Sequence, residues 1–235
     1  MKTQKSHINY HNPINTSSLP STNLRDRKLL IFGASGHAKD VMDPAILLGY
    51  RAFALVTTDG NSQIAEMYAQ KEANFKPSDY LDWDCIVAIG NNTVRKKLYE
   101  NYSNLRQVNI ISPSAIVSPS ARISEGCYVG AFAYVGPCST LSEATIVNSH
   151  SIIGHDSIVG AFSQIGPKVC ISGNVHIGKS VYVGAGAIFN NGSEEAPLMV
   201  PDFVEIGMGC HITRTVEYKG LKLLPKPNYI IVQQD

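Results

Sequence analysis

Two histidines stand close together near the middle of the chain, His150 and His155, and the second is followed at once by Asp156. An imidazole group titrates near neutral pH, so it can serve as a general base that takes a proton from an attacking amine or hydroxyl. A carboxylate beside it could orient the ring, although neighbours on a strand point to opposite sides. Because a lone surface histidine is more often inert, the elements that position His155 decide its role.

The segment that carries both histidines repeats every six residues. Every sixth position is apolar without exception, at Ile111, Val117, Ile123, Val129, Val135, Leu141, Val147, Ile153, Val159, Ile165, Ile171, Ile177, Val183 and Phe189. The next position is usually glycine or serine, and the position four after the apolar residue is small or β-branched. This period predicts a left-handed parallel β-helix of hexapeptide repeats, with apolar residues inside, glycine relieving each corner, and His150 and His155 facing outward.

Before the repeat, apolar runs alternate with helical patterns. Strands are predicted over residues 28–32, 52–56 and 85–89, and helices over 38–48 and 94–102. Strands that alternate with helices in this way form a small open parallel α/β sheet of the Rossmann-like type. The sequence therefore predicts an α/β domain in front of an all-β one.

Glycine-rich or polar turns follow each predicted strand of the α/β domain. The first strand ends in Gly33-Ala34-Ser35-Gly36-His37, the second reaches Asp59, and the third reaches Gly90 and Asn91. Ligands of open α/β sheets bind beyond the carboxyl ends of the strands, where backbone N–H groups at a helix start can hold a phosphate. The full GxGxxG pattern is absent, so these turns favour a nucleotide-containing ligand over a dinucleotide. The alternative that the glycines only permit tight turns remains open.

Composition excludes several classes of partner. The net charge is +1, so no overall field attracts nucleic acid or an anionic membrane. The five cysteines are scattered and lack a CxxC pair, which favours free thiols in a reducing compartment. No apolar run is long enough for a membrane helix, and no signal-peptide pattern is present. We expect a soluble, cytoplasmic protein.

Changes in composition divide the chain into four parts. We expect a flexible leader over residues 1–27, the α/β domain over 28–107, the β-helix over 108–216 and a tail over 217–235 that leaves the coil. The repeat is interrupted by an acidic loop over 190–197 and resumes at 204–212.

Several motifs together closely resemble the bacterial sugar O- and N-acyltransferase family. They are the run Gly33-Ala34-Ser35-Gly36-His37-Ala38-Lys39, the pair Gly90-Asn91 with Arg95, and the run Val147-Asn148-Ser149 leading to Ile153-Gly154-His155-Asp156. That family contains sialic acid O-acetyltransferases and N-acetyltransferases of nucleotide-linked 4-amino-sugars. The resemblance covers about residues 28–190, and the paired motifs make it more specific than the repeat alone.

The resemblance implies a homotrimer with acetyl-CoA lying in the groove between neighbouring β-helices and a nucleotide-linked amino-sugar held by the N-terminal domain. It implies that His155 is the general base, that the Gly173 amide meets the thioester oxygen, and that a further backbone contact to the coenzyme lies near Ala185. Direct transfer from the thioester needs no acyl-enzyme. Three features depart from the family pattern: Gly154 replaces an acidic residue before the base, Gln164 replaces a second histidine, and the C-terminal segment differs.

The candidate residues fall into three groups. The catalytic candidates are His155, Asp156 and Gly173; the coenzyme candidates are Gln164, Gly173, Gly184 and Ala185; the acceptor candidates are Gly33, Ser35, Gly36, His37, Asp59, Gly90, Asn91, Arg95 and Asn148. No metal is expected. N-acetylation is favoured over O-acetylation, whereas the nucleotide, the sugar and the acyl length are left open.

Two other interpretations remain. The five-residue spacing of His150 and His155 resembles two of the three zinc ligands of β-helical carbonic anhydrases. A catalytic zinc site needs a third protein ligand, yet the matching upstream positions are Ser114 and Phe132. In a non-catalytic β-helical scaffold His155 would be incidental, but such a scaffold would not need the glycine-rich turns of the α/β domain.

Overall fold

Five parallel strands form the N-terminal sheet of the computed structural model, which describes residues 27–225. They are β1 (Arg27–Phe32), β2 (Tyr50–Thr57), β3 (Ala69–Lys71), β4 (Asp84–Val87) and β5 (Arg106–Gln107), with helices α1 (Gly36–Leu47) and α2 (Asn92–Asn101) and 3-10 helices at Glu72–Asn74 and Pro77–Tyr80. The spatial order β3-β2-β1-β4-β5 puts β1 at the centre and confirms the predicted open α/β sheet.

The central strand β1 is buried on both faces, which explains its unbroken apolar run. Leu29 and Ile31 belong to the apolar cluster under α1, whereas Leu30 and Phe32 belong to the cluster under α2. The strands β3 and β5 were not predicted, because they are two to three residues long and carry no apolar run. Each lies at an edge of the sheet, where one side needs no apolar cover.

The second domain is a left-handed parallel β-helix, as predicted. Its strands are β6 (Ile110–Ile111), β7 (Ile116–Val117), β8 (Arg122–Ile123), β9 (Tyr128–Val129), β10 (Tyr134–Val135), β11 (Thr140–Leu141), β12 (Ile146–Val147), β13 (Ile152–Ile153), β14 (Ile158–Val159), β15 (Gln164–Ile165), β16 (Cys170–Ile171), β17 (Val175–Ile177), β18 (Tyr182–Val183), β19 (Ile188–Phe189), β20 (Leu198–Val200), β21 (Glu205–Ile206), β22 (His211–Ile212) and β23 (Lys222–Leu223).

These strands stack into three sheets that form the faces of a prism. Face 1 contains β6, β9, β12, β15, β18, β21 and β23; face 2 contains β7, β10, β13, β16, β19 and β22; face 3 contains β8, β11, β14, β17 and β20. Each coil of the chain passes along face 1, face 2 and face 3 in turn. The α/β domain covers part of face 1, because Tyr128 and Ile146 of that face belong to the apolar cluster under α1.

The sixth residues of the repeat form the core of the prism. From Val129 to Phe189 each is at most 2% exposed. The three in the first coil, Ile111, Val117 and Ile123, are only partly buried because that coil has a neighbour on one side only. Small hydroxyl residues fill the space beside the core and bond to turn carbonyls of their own or the next coil.

The glycines act differently from the prediction. From residue 126 to residue 186, the residue with left-handed backbone at each corner is the third after the inward residue, including His150, Asp156 and Phe162 with φ of 61°, 56° and 60°. The glycine that directly follows the inward residue instead allows the coils to stack closely. A Cβ at Gly160, for example, would lie 2.5 Å from the backbone carbon of Gly178 in the next coil. The glycines therefore serve stacking rather than corner geometry.

The C-terminal part of the coil also differs from the prediction. The repeat resumes at β20, which pairs with β17, before the predicted restart at 204. The chain does not leave the coil after Glu217, because β23 pairs with β21 and extends face 1. Nearly all of the predicted leader, residues 1–26, and the last part of the tail, residues 226–235, lie outside the described residues. Between residues 27 and 225, no helix is long and apolar enough to cross a membrane.

Candidate active site

His155 and Asp156 lie in the turn between β13 and β14, where face 2 meets face 3. His155 Nδ1 is 2.7 Å from Asp156 Oδ2, and both side chains are about half exposed. The expectation that strand neighbours point apart does not apply here, because both residues belong to a turn and Asp156 has left-handed backbone, with φ of 56°. The contact at Nδ1 leaves Nε2 of the ring as the nitrogen available to a substrate.

Gly173 lies directly beside the His155 ring, one coil further along. A Cβ at residue 173 would come 2.5 Å from Cε1 and 3.0 Å from Cδ2 of His155, and closer still to Nε2. Only glycine therefore leaves the ring where it is. Its carbonyl accepts the Gly192 N–H at 3.0 Å, whereas between residues 27 and 225 no group accepts a hydrogen bond from the Gly173 N–H. A free amide thus lies next to the imidazole.

Backbone contacts hold these two turns in register. The Asn174 N–H donates to the His155 carbonyl at 3.0 Å. The buried Ser157 hydroxyl donates to the Ser172 carbonyl at 3.0 Å and accepts the Val175 N–H at 3.1 Å. We call the stacked turns 136–139, 154–157 and 172–174 the His155 corner. Hydrogen bonds hold its backbone, and the His155 and Asp156 side chains extend into solvent.

The predicted edge of the α/β sheet exists. β1, β2 and β4 are neighbours and parallel, so the turns after them share one edge. Gly33, with φ of 123°, approaches the Ala88 carbonyl so closely that a Cβ would lie 2.6 Å from its oxygen. Gly36 opens α1 and has no atom within 4 Å of the position of a Cβ, so the start of this helix is open.

Two acceptor candidates on this edge are already engaged within the protein. The Asp59 carboxylate accepts the backbone and side-chain N–H groups of Asn61 at 3.0 and 2.7 Å, and these bonds lower its pKa. His37 packs edge-on against Tyr128 of the β-helix, with ring centroids 5.0 Å apart, and its Nδ1 is 3.7 Å from Asp40 Oδ2. The Nε2 of His37 is buried and has no hydrogen-bond partner among residues 27–225.

Two residues of the motif around Gly90 make contacts within the protein. The Asn91 side chain caps α2, because its Oδ1 accepts the Val94 N–H at 3.0 Å. Arg95 is 0% exposed, and its guanidinium donates to backbone carbonyls of both domains. The interpretation of Arg95 as an acceptor contact is therefore corrected, since a fully buried side chain offers no surface to a ligand. Gly90 lies against Gln164, whose Oε1 would be 3.3 Å from a Cβ at residue 90.

The structure brings only some of the candidates together within one chain. Gln164 lies on face 1 beside the α/β domain, and Asn148, Gly184 and Ala185 lie in turns that join face 1 to face 2. His155 lies where face 2 meets face 3. The chain thus carries the His155–Asp156 pair and a free amide at one corner, whereas the edge of the α/β sheet and Gln164 lie on a different face of the prism.

Sequence reasoning missed three contacts between the domains. The Asn92 side chain donates to the Val181 carbonyl at 3.1 Å, and the Tyr128 hydroxyl donates to the Asp40 carbonyl at 3.1 Å. Tyr99 packs edge-on against Phe162, with ring centroids 5.6 Å apart. Tyr128 and Phe162 are large aromatic residues at outward positions of the repeat, and this was the signal available in the sequence.

A metal centre was considered from the spacing of the two histidines. His150 packs against Phe132 instead, with ring centroids 5.1 Å apart. Between residues 27 and 225, no group of three or more His, Cys, Asp or Glu side chains is arranged to hold a metal ion.

Parts of the chain, and most of its length, are similar to known proteins. Residues 28–102 match the PglD N-terminal domain family. The acetyltransferase domain of PglB from Neisseria gonorrhoeae is 31% identical, with 83% of this chain and 95% of that chain covered and a TM-score of 0.74. That domain is also known in complex with acetyl coenzyme A.

Two further structures have the same architecture. Perosamine N-acetyltransferase from Caulobacter crescentus, in complex with CoA and GDP-perosamine and with one histidine replaced by asparagine, is 28% identical over 83% of this chain and 90% of that chain, with a TM-score of 0.74. WeeI from Acinetobacter baumannii shares the fold at 22% identity over 84% and 94% of the two chains, with a TM-score of 0.66. With the PglB domain matched over nearly its whole length, the chain belongs to the hexapeptide-repeat sugar O- and N-acyltransferase family.

Proposed function

We propose that the protein transfers the acetyl group of acetyl-CoA to the amino group of a nucleotide-linked amino-sugar, with His155 as general base. The observation that carries this proposal is the His155–Asp156 pair, at 2.7 Å, beside the free amide of Gly173. The reaction class follows from the family, and the His155 imidazole is the group at this corner that can act as a general base.

In the proposed reaction, the nitrogen of the sugar amine attacks the thioester carbonyl carbon while His155 Nε2 takes a proton from that amine. The carbonyl π electrons move to oxygen, and the Gly173 N–H stabilises the resulting oxyanion. Collapse of this intermediate breaks the carbon–sulfur bond, and the proton on His155 passes to the departing CoA sulfur. The Asp156 carboxylate accepts from Nδ1–H, which holds the ring in one tautomer and stabilises the transient imidazolium.

The edge of the α/β sheet supports an acceptor that carries a nucleotide. The open start of α1 at Ser35 and Gly36 presents backbone N–H groups where a phosphate can bind. The perosamine N-acetyltransferase from Caulobacter crescentus was solved with GDP-perosamine, a sugar joined to such a nucleotide. For this chain we assign the Gly33, Asp59 and Gly90 turns to the acceptor nucleotide without choosing among GDP, UDP and dTDP.

We further propose a homotrimer with each active site between two subunits. Face 2 carries an exposed apolar row beside the His155 corner, with Ile116, Tyr134, Ile152 and Ile188 each 37–65% exposed. A second copy of the chain would cover this row. It would also bring Gln164 of its own face 1, with Gly184 and Ala185 of the adjoining turn, to the His155 corner, so that the coenzyme lies in the groove between the two prisms.

O-acetylation of a sialic acid type sugar is the second candidate, because a histidine base can deprotonate a hydroxyl as well as an amine. The N-acetyl assignment rests on the relatives with amino-sugar ligands. We place the reaction in bacterial surface glycan biosynthesis in the cytoplasm, where CoA thioesters are available.

Acetyl transfer to defined acceptors tests the proposal. Purified protein is incubated with acetyl-CoA and with GDP-, UDP- or dTDP-linked 4-amino-sugars, each beside its 4-hydroxy analogue as a matched control. We expect release of CoA thiol with one amino-sugar and a product that resists mild alkali, as an amide does and an ester does not. Thiol release only with hydroxyl acceptors would favour the O-acetyl alternative, and no release with any acceptor would contradict the proposal.

A further inference from the structure

We propose that Arg95 is a positioning residue that holds the Gly90 loop of the acceptor domain against Gln164 of the β-helix. This inference rests on the proposed function, because it assigns the loop to acceptor binding. It adds a role for a buried cation that contacts neither the reacting atoms nor solvent.

Arg95 joins the two domains through all parts of its guanidinium group. Nη1 donates to the Ile89 and Gly90 carbonyls at 2.8 and 3.0 Å, within the loop after β4. Nε donates to the Ala144 carbonyl at 2.9 Å, and Nη2 donates to the Phe162 carbonyl at 2.6 Å, both in the β-helix. The loop and the prism are therefore bonded to the same rigid, planar group.

The β-helix carbonyls that accept from Arg95 Nε and at 2.6 Å from Nη2 have no backbone hydrogen bond within the described part of the coil. At regular corners, the carbonyl of the second residue after the inward one accepts a hydrogen bond from a backbone N–H of the next coil. The Glu143 carbonyl, for example, accepts the Phe162 N–H. Among residues 27–225, only Arg95 donates to the carbonyls of Ala144 and Phe162, which come one position later. Two stacked turns thus present unpaired oxygens to one side chain, and we call the turns 142–145, 160–163 and 178–181 the Arg95 corner.

The contacts of Arg95 compensate its burial. Burial lowers its pKa to about 9, so the guanidinium remains charged at neutral pH. None of its hydrogen bonds goes to a carboxylate within residues 27–225; carbonyl oxygens and Asn92 Oδ1 accept instead. A lysine has one ammonium group and cannot reach carbonyls on both sides of the fork at once. These contacts therefore require the guanidinium group of arginine and not only a positive charge.

The loop that Arg95 fixes lies where acceptor and coenzyme groups meet. Gly90 is on the acceptor edge, and a Cβ at this residue would lie 3.3 Å from Oε1 of Gln164, a coenzyme candidate on face 1. The Asn92 side chain adds a second bond to the β-helix, at the Val181 carbonyl. If the Gly90 loop were more mobile, His155, the Gly173 amide and the coil would be unchanged. The acceptor would then be held less accurately in the position needed for reaction.

The test compares Arg95→Lys and Arg95→Gln with Lys97→Gln, which makes a similar change at an exposed position of the same helix. Amide hydrogen exchange is followed in full-length protein at residues 88–95 and, as an internal reference, at residues 152–160. We expect exchange at 88–95 to rise about tenfold or more in both Arg95 variants and not in Lys97→Gln, with no change at 152–160.

Kinetics with GDP-perosamine, UDP- and dTDP-linked 4-amino-sugars then separate positioning from general damage. For the acceptor that the wild type uses, we expect KM to rise about tenfold, with kcat and the KM for acetyl-CoA changed less than about twofold. Unchanged exchange at 88–95 would overturn the inference, and so would unfolding or equal loosening of both segments, since Arg95 would then only stabilise the fold. The exchange comparison needs no acceptor, so it tests the role of Arg95 even if no sugar is acetylated. Absence of acetylation with every sugar would instead count against the proposed function.

Discussion

The His155 corner and the Arg95 corner are built from the same repeat but serve different purposes. Each has a glycine directly after the inward residue and a left-handed residue two positions later, Asp156 in one and Phe162 in the other. The Arg95 corner is closed by the α/β domain, which uses its leftover carbonyls. The His155 corner remains open and presents an imidazole, a carboxylate and a free amide. The same backbone therefore either binds the second domain or presents polar side chains to solvent, and the outward side chains determine which.

The largest expected loss of activity comes from replacing Gly173, the glycine beside His155, and it is compared with replacement of a glycine that lets the coils stack. Gly173→Ala places a Cβ against the His155 ring, which is half exposed and can swing away. We expect kcat/KM to fall about a hundredfold or more, because the base moves away from the oxyanion donor, while the melting temperature changes little. Gly160→Ala is the matched control at the Arg95 corner, where the Cβ meets backbone of the next coil at 2.5 Å. It should lower the melting temperature markedly, and the reverse pattern would contradict the comparison.

A smaller loss is expected when the orienting carboxylate is changed. Asp156→Asn keeps the shape of the side chain but removes the charge that holds Nδ1 at 2.7 Å. We expect kcat/KM to fall on the order of tenfold, with an unchanged KM for acetyl-CoA. Steady-state kinetics on both substrates provide the measurement. Wild-type kcat/KM in this variant would show that Asp156 has no part in catalysis.

A matched serine pair tests whether the two corners are equally stable. The Ser157 hydroxyl bonds the Ser172 carbonyl and the Val175 N–H, and the Ser163 hydroxyl bonds the Gly178 carbonyl and the Val181 N–H. Replacement of either serine by alanine leaves two buried backbone groups unpaired, so each should lower the free energy of unfolding by about 1–3 kcal/mol.

Denaturant titration measures both losses. We expect only Ser157→Ala to reduce acetyl transfer as well, since it underlies the His155 turn. Equal activity losses in the two variants would mean that the corners are not functionally distinct.

The smallest effect concerns the thiols. Burial raises the pKa of Cys85 and of Cys127 to about 12, so these thiols should resist alkylation at neutral pH, whereas the exposed Cys138 of the His155 corner should react. Mass spectrometry after brief iodoacetamide treatment locates the label. Because the proposed transfer is direct, Cys138→Ser should leave kcat/KM unchanged, and a large loss would point to a thiol in the reaction.

The sequence predicted the parts of the fold that a repeating pattern determines. The register of inward residues from Val129 to Phe189 was confirmed, because one-dimensional stacking ties each coil to a fixed period. The corner geometry was predicted incorrectly, since residues as different as Phe162, Lys168 and Ser180 take the left-handed position and composition does not reveal it. The role of Arg95 was also predicted incorrectly, because a single motif letter does not indicate whether a side chain faces solvent or another domain.

The candidate site was also predictable only in part, because contacts between the two domains leave no pattern in the sequence. The turn chemistry indicated the edge at Gly33, Asp59 and Gly90, and the structure places these turns on one edge. Which face of the prism lies beside the edge of the α/β sheet depends on where the α/β domain docks. That docking uses contacts such as Arg95 with Ala144, which are far apart in sequence and show no local pattern.

The most direct test of the central claim is the loss of acetyl transfer in His155→Ala relative to His150→Ala. Both histidines face outward in the same stretch of the coil, but only His155 lies beside Asp156 and Gly173. With the amino-sugar that the wild type uses, the account predicts that kcat falls by a factor of about a hundred or more in His155→Ala and stays within about twofold in His150→Ala. Full activity of His155→Ala, or equal losses in the two variants, would contradict it.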